Sequence, residues 1–355
     1  MIVLLMTDKF IILGDIHIGS RNASLILCEY QIKFFEEVLF PYMLKNGITT
    51  ILQLGDLFDS RKFSNHTILH IWKMRVFDVM ANNGIKMITL LGNHDIVSRN
   101  TLEVNAPTLF LSEYDNIDII NYPVDYNING IDFLLLPWIC MENQAVVAEK
   151  VKSTDAIFCA GHFEFDGFEM QRGIPAHGGM AIDDYKGFDC VFSGHYHTRN
   201  KRKNIQYVGT PFEQTWADYA DQKGFHVFDV TTHKTTFVKN LNTLFFKCEY
   251  NDDGVDPIQP KNVKGAYVKV IVLNKTDPYK FEKFITNIIS QEPADLKITE
   301  IEVDFEAVDV EDELKLEDTA TMMSKFVDQC ETSLNRDKLK LHLTRFYATA
   351  LEICD

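Results

Sequence analysis

The chain has 355 residues, 46% apolar and 24% charged, with a formal net charge of −16. That length suits one large domain with one or two smaller ones, and no apolar run reaches the roughly 18 residues of a bilayer span. The acidic excess is −7 over residues 1–245 (21 basic, 28 acidic) and −9 over 246–355 (14 basic, 23 acidic). It excludes holding nucleic acid by broad charge attraction, so a polyanionic substrate would need metal cations, a local basic patch or a partner. Seven cysteines, an odd number with no CxxC pair, point to a reducing, intracellular compartment.

The opening MIVLLMTDKFIILGD lacks a basic leader and a cleavage site, so it reads as a first strand and not as a signal peptide. Strands are then expected at 10–14, 49–54, 86–91, 131–136, 156–160, 190–193, 205–209 and 225–230. Several are apolar throughout, as strands covered on both faces are. Helices are expected at 24–40 and 65–83, the second stopping at NNG, and NING at 127–130 reads as a hairpin turn. This alternation predicts an α/β domain over 1–242. A small α+β unit follows at 245–310, with strands at 266–274 and 296–308 around an amphipathic helix at 278–290. Ten acids against one lysine at 300–318 predict a solvated edge and linker, within a terminal segment 311–355. Two helices at about 317–332 and 336–353 then form a hairpin with Met322, Phe326, Leu339, Leu343 and Phe346 on its apolar side. It docks either on the chain's own core or on a partner.

Five strands end in polar clusters. FIILGDIH ends at Asp15 and His17, ILQLGDLFD at Asp56 and Asp59, and ITLLGNHD at Asn93, His94 and Asp95. AIFCAGH ends at His162 and CVFSGHYH at His195 and His197. Ligands of α/β sheets collect at such strand ends. A glycine before each cluster is expected to supply a sharp turn. Carboxylates, imidazoles and an amide without a thiolate suit Mn²⁺, Mg²⁺, Fe²⁺ or Zn²⁺. Seven candidate ligands exceed the needs of one ion and favour two divalent metal ions sharing a carboxylate. Two cations about 3.5–4 Å apart can grip both non-bridging oxygens of a phosphoester and acidify a shared water.

The ordered set GDIH, GDLFD, GNHD, GH and SGHYH resembles the calcineurin-like metallophosphoesterase superfamily. The resemblance implies a four-layer β-sandwich flanked by helices, with a small capping domain and a C-terminal helical hairpin. It implies one metal on Asp15, His17, Asp56 and His197, and a second on Asp56, Asn93, His162 and His195. His94 matches the position that touches the scissile phosphate, while Asp95 orients it or only caps the turn. LLPWICMEN, CAGHFEFDGF and YVGTPFEQTWAD further resemble the SbcD / Meiotic Recombination Eleven type of DNA repair nuclease, including the recombination endonuclease subunits of T4-type phages. That implies a Mn²⁺-dependent exo- and endonuclease acting on DNA in the cytoplasm (the host's, for a phage protein). The likeness extends to a homodimer, for which residues 64–83 offer either a contact surface or ordinary core packing, that works with an SbcC / Rad-fifty type coiled-coil ATPase bound to the terminal hairpin. Asp59 stands where some relatives place a catalytic histidine. Candidate DNA contacts are Arg199, Lys201, Arg202 and Lys203 of RNKRK, and the lip 168–179 with Arg172 and His177. The alternatives are a small-molecule phosphodiesterase or protein phosphatase on the same fold, and a non-catalytic adaptor.

Overall fold

The computed structural model describes residues 8–171, 174–176, 178–253 and 257–300, and six further positions, 326, 327, 336, 339, 340 and 343. His177, Arg172, strand residues 301–308, the acidic linker and nearly all of the predicted hairpin lie outside the described residues. Those in Met1–Gln214 and Ala220–Thr243 form one unit; those in Thr215–Tyr219 and Leu244–Asp355 form another.

In the first unit, β1 (Lys9–Leu13), β2 (Thr50–Gln53), β3 (Lys86–Leu90) and β4 (Ile117–Ile120) precede the hairpin of β5 (Val124–Ile128) and β6 (Ile131–Leu136). Next come β7 (Phe158–Gly161), the short ribbon β8 (Glu169–Gln171) and β9 (Ile174–Pro175), and β10 (Cys190–Ser193). The unit ends in β11 (Asn200–Arg202), β12 (Ile205–Tyr207), β13 (Gly224–Asp229) and β14 (Lys234–Lys239). Two six-stranded sheets result, ordered β14-β13-β1-β2-β3-β4 and β11-β12-β10-β7-β6-β5. β1 to β4 run parallel in the first sheet, and β6, β7, β10 and β12 run parallel in the second.

The apolar reading of β1, β2 and β3 has its cause in burial on both faces. Phe10, Ile12, Leu52, Leu54, Ile88 and Leu90 point into a core shared with Phe133, Leu135, Phe158 and Phe192 of the second sheet. Removing so much apolar surface from water is the main force holding the two sheets together. On the outer face of the first sheet, Phe34 packs edge-on to Phe225 and Phe35 to Trp72 of the next helix. Val147 of the helix Gln144–Ser153 covers the second sheet. The order helix, sheet, sheet, helix is the expected four-layer sandwich.

Sequence and structure differ at several boundaries. The first long helix starts at Leu25 and continues through a wide turn at Phe35–Leu39 to Asn46, with Pro41 in the first turn of its last segment, where a missing N–H is tolerated. NING does form a primed turn between β5 and β6, with Asn129 and Gly130 both at positive φ. β4, β5, β11 and β14 were not expected; each is polar or half exposed and lacks the apolar run of an interior strand.

In the second unit β15 (Phe245–Asn251), β16 (Tyr267–Asn274) and β17 (Asp295–Glu300) form a parallel sheet. The helix Pro278–Ile289 makes the crossover from β16 to β17, burying Phe284 and Ile288 against Tyr250, Val268 and Val270. Asp277 caps it by accepting from the N–H groups of Tyr279 and Lys280.

Candidate metal centre

The parallel strands β1, β2, β3, β7 and β10 all deliver their carboxyl ends to one place, and the seven expected ligands meet there. Asp15, His17 and His197 form one group whose ligand atoms lie within 4.8 Å of one another, and Asp56, His162 and His195 form a second. Asp56 links them, with its Oδ2 3.8 Å from His17 Nε2 and 3.4 Å from His162 Nε2. Asn93 Oδ1 sits 3.1 Å from His162 Nε2 and 3.0 Å from His195 Nδ1. His17 Nε2 and His197 Nε2 approach to 3.2 Å, two imidazole nitrogens aimed at one point.

The backbone is bent to achieve this. His17, Asp56 and His195 adopt φ of 53°, 51° and 82°, in the left-handed region that side chains other than glycine's avoid. Such strain costs about 1–3 kcal/mol per residue and persists where surrounding contacts over-determine it. The glycines play a different part from the one expected. Of the five that precede the clusters, Gly55 alone has positive φ. At Gly92 a Cβ would lie 2.2 Å from Asp56 Oδ1, and at Gly194 2.7 Å from Asp15 Oδ1. These glycines leave the space through which the carboxylates pass.

Buried donors fix the ligand turns, and sequence reasoning missed them. Gln53 donates to the carbonyls of Gly14 and Gly55, Gln31 to that of Ile16, and Gln214 to that of Asp15. Lys223, 3% exposed, donates from Nζ to the His197 carbonyl at 2.8 Å. The ring of Trp138 packs 5.4 Å from His195 and 5.9 Å from His162. Its stretch, LLPWICMEN, was a signal for it, as YVGTPFEQTWAD was for Gln214; Gln31 carries none, since its partner lies 15 residues away.

The tautomers are set by main-chain acceptors. His162 Nδ1–H donates to the Leu54 carbonyl at 2.8 Å, which turns Nε2 toward Asn93 and Asp56. His94 Nδ1–H donates to the Asp59 carbonyl at 2.6 Å, which leaves its Nε2 for a substrate. That bond replaces the orienting role entertained for Asp95. The buried Asp95 carboxylate instead accepts from the N–H groups of Leu57, Phe58 and Gly92, so of the two readings it is the turn anchor. Asp59 keeps a second contact, its Oδ1 3.4 Å from His17 Nδ1.

Electrostatics agree with a cation-seeking site. Burial pushes the His17 imidazole down, but Asp59, Asp56 and Asp15 together raise it to about 9. For His162, burial is likewise outweighed by Asp56 and Asp15, and it too is raised to about 9. Asp56 is held well below the ordinary carboxylate range by His162 and His17 despite its burial. Burial and His162 together push His195 down to about 3, so it stays neutral. Among the described residues no lysine or arginine pairs with Asp15 or Asp56. Buried carboxylates and imidazoles compensated only by one another fit one or more hard to borderline divalent ions.

The proposed DNA contacts do not converge as the ligands do. Arg199 is half-buried, with its guanidinium 3.5 Å above the ring of Phe237 and Nη2 donating to Gln222. Lys201 and Arg202 lie on the exposed edge strand β11, and Lys203 pairs with Asp183 at 3.6 Å.

The family model of the calcineurin-like phosphoesterases matches residues 8–199, the span that carries all seven converging residues. The chain belongs to the calcineurin-like phosphoesterase family. Among curated relatives, exonuclease subunit 1 of Enterobacteria phage T4 is 30% identical over 347 residues, 97% of this chain and 100% of the relative. The DNA double-strand break repair protein Mre11 of Saccharolobus solfataricus is 27% identical over 199 residues, 53% of this chain and 49% of the relative. A solved archaeal phosphodiesterase covers 65% of this chain and 99% of its own at 12% identity, with a TM-score of 0.34. For a calcineurin-like phosphoesterase, divalent metal ions are the expected cofactors. No helix among the described residues is long and apolar enough to cross a membrane.

Proposed function

We propose that the protein is the nuclease subunit of a DNA recombination or repair complex, hydrolysing DNA phosphodiester bonds with divalent metal ions. The observation that carries this reading is the coincidence of the complete donor set on five strand ends with full-length similarity to a phage exonuclease subunit. Asp15, His17, Asp56 and His197 would hold one ion, and Asp56, Asn93, His162 and His195 a second, with Asp56 shared. Bound there, the ions would neutralise the phosphoryl oxygens and make water acidic enough to attack at neutral pH. Mn²⁺ suits the mixed oxygen and imidazole set.

The chain's own residues supply the rest. His94, with Nδ1 committed to the Asp59 carbonyl, presents Nε2 to the scissile phosphate and can exchange a proton with the leaving oxygen. Asp56 Oδ1 accepts from the His94 N–H at 2.8 Å, which ties that histidine to the shared ligand. Asp59 holds both His17 and His94 in place and stands where some relatives have histidine.

Residues 1–242 form the nuclease domain, 245–310 the capping domain and 311–355 the linker and hairpin that recruit an SbcC / Rad-fifty type ATPase. The protein works in the cytoplasm as a homodimer through residues 64–83, and Lys201 and Arg202 add phosphate contacts. The acidic balance supports dependence on that partner for DNA affinity. The test is a nuclease assay with linear and circular DNA in Mn²⁺ and in Mg²⁺, with and without ATPase and ATP. Linear DNA should be degraded in Mn²⁺ and faster with the ATPase. Rapid turnover of cyclic nucleotides or phosphopeptides with DNA left intact would reject the assignment.

A further inference from the structure

Strand β16 of the second unit is buried along most of its length, on both faces of its sheet. Phe246, Tyr250, Val268, Val270 and Leu296 pack toward the helix Pro278–Ile289. Alternation along the strands turns Phe245, Lys247, Tyr267, Lys269, Ile271 and Lys297 to the other face. There Tyr267, Lys269 and Ile271 are 8%, 4% and 3% exposed. The segment Thr215–Tyr219 accounts for one end of that cover. Trp216 packs 4.8 Å from Phe245, its ring lies 4.6 Å from Lys269 Nζ, and Tyr219 donates to the Lys247 carbonyl at 3.4 Å. Ile271 lies about 7 Å further along the strand.

This face carries a row of like charges. Lys247, Lys269 and Lys297 are direct register partners on β15, β16 and β17, so three lysines leave the sheet side by side at strand spacings of about 4.8 Å. Like charges set opposite one another on a sheet repel, and a buried charge needs a counter-charge. Trp216 offers Lys269 a ring but no negative charge. The stretch that begins at the end of β17 has that charge in excess, since residues 300–318 hold ten acids and one lysine. The row lies three residues before Glu300, within reach of the segment that follows. One residue of that segment is also in a core: Val327 is 1% exposed, belongs with the second unit and is not part of the apolar cluster on the helix side. Its neighbour Phe326 is 65% exposed.

We propose that the acidic stretch 309–318 of this same chain lies on the lysine row as its counter-charge, with Val327 closing the apolar remainder of the face beside Ile271. The stretch is then a docked part of the second unit and not a free tether. Any polyanion can reach the lysine row only by displacing it, and a partner that binds the terminal segment meets Phe326 on a surface fixed to the sheet. The inference goes beyond the nuclease reading and holds whichever phosphoester the metal centre cuts.

The experiment uses the full chain, with zero-length carbodiimide crosslinking of lysines to carboxylates read by mass spectrometry and limited proteolysis beside it. Crosslinks should join Lys247 or Lys297 to acids of 309–318 at low salt and fade at about 1 M salt, where charges are screened within about 3 Å. Lys247→Glu/Lys297→Glu should speed proteolytic cutting within 309–327 by about 2- to 30-fold, the release expected from losing two ion pairs near the surface. Adding Glu311→Lys/Glu313→Lys to that variant should bring the rate back toward wild type. Thermal melting verifies that each variant is folded. If neither lysine crosslinks to the stretch and the charge-reversed variant is cut at the wild-type rate, the proposal is overturned. Crosslinks that join light to heavy chains in an isotopic mixture would show that a second copy covers the face, which also overturns it. If the reversal weakens DNA binding and leaves the cutting rate unchanged, the row belongs to a nucleic acid and the proposal fails.

Discussion

His94 and its neighbours show how adjacent residues take separate tasks. Asn93 turns toward His162 and His195, His94 is oriented by a main-chain carbonyl, and Asp95 anchors the turn through three N–H groups. Replacing His94 by Gln should lower DNA cleavage by about 10²- to 10⁴-fold, the usual contribution of a positioned acid or base, with metal content nearly intact. Elemental analysis beside the cleavage assay measures this, and loss of the metal would show that His94 is a ligand instead. Lys223 is a positioning residue, since its ammonium reaches the carbonyl of His197 and not the donor atoms. Lys223→Met should weaken metal binding by about 10- to 100-fold, as loss of an outer support does, while the folded state persists. Calorimetric titration with Mn²⁺ checks it. The metal-facing residues were legible because each follows an apolar strand and a glycine. Lys223 and Gln31 were not, because nothing local marks a side chain whose partner is a carbonyl far along the chain.

At the scale of elements, the glycines and strand ends carry the design. Gly92→Ala would set a methyl group 2.2 Å from Asp56 Oδ1 and 2.3 Å from the Asp56 main-chain nitrogen, where neither can retreat without disturbing His94. We expect a loss of about 1–3 kcal/mol in urea unfolding, together with weakened metal binding. Strand β13 contributes a pH dependence. Burial and the nearby Arg199 push His226 down from 6.5 to about 4, so below neutrality the unfolded chain takes up a proton that the folded one refuses. This group's contribution is therefore intact above pH 6.5 and falls by up to about 3 kcal/mol as pH drops toward 4. His226→Gln should reduce the difference in urea midpoint between pH 7 and pH 4.5 relative to wild type; an unchanged difference would place the acid sensitivity elsewhere. Interior strands such as β1 and β6 were readable from their mostly apolar runs. Edge strands β11 and β14 were hidden by their polarity, and the helix past Pro41 by a wide turn that no simple period describes.

For the whole molecule, the two sheets form a scaffold that holds the strained turns of His17, Asp56 and His195 in one place. A metal that binds the folded chain alone should stabilise it by about 2.7 kcal/mol at a hundredfold excess over its dissociation constant. Melting in Mn²⁺ should thus occur several degrees above melting in EDTA. The layered fold and its site were legible together, since the same strand ends that define the sheet order carry the donors. The second unit's helix and strand were legible as well, whereas its inclusion of Thr215–Tyr219 was not, because that segment joins through tertiary contacts such as Trp216 against Phe245. In the proposed mechanism Asp56 ties together a divalent-metal centre that hydrolyses DNA. The most direct test is cleavage of linear DNA across a Mn²⁺ titration by wild type and by Asp56→Asn, with bound metal quantified in both. Wild type should bind up to two ions and cleave, while Asp56→Asn should lose most of its metal and all detectable cleavage. Cleavage by wild type in excess EDTA, or full activity in Asp56→Asn, would rule out a metal centre shared at Asp56.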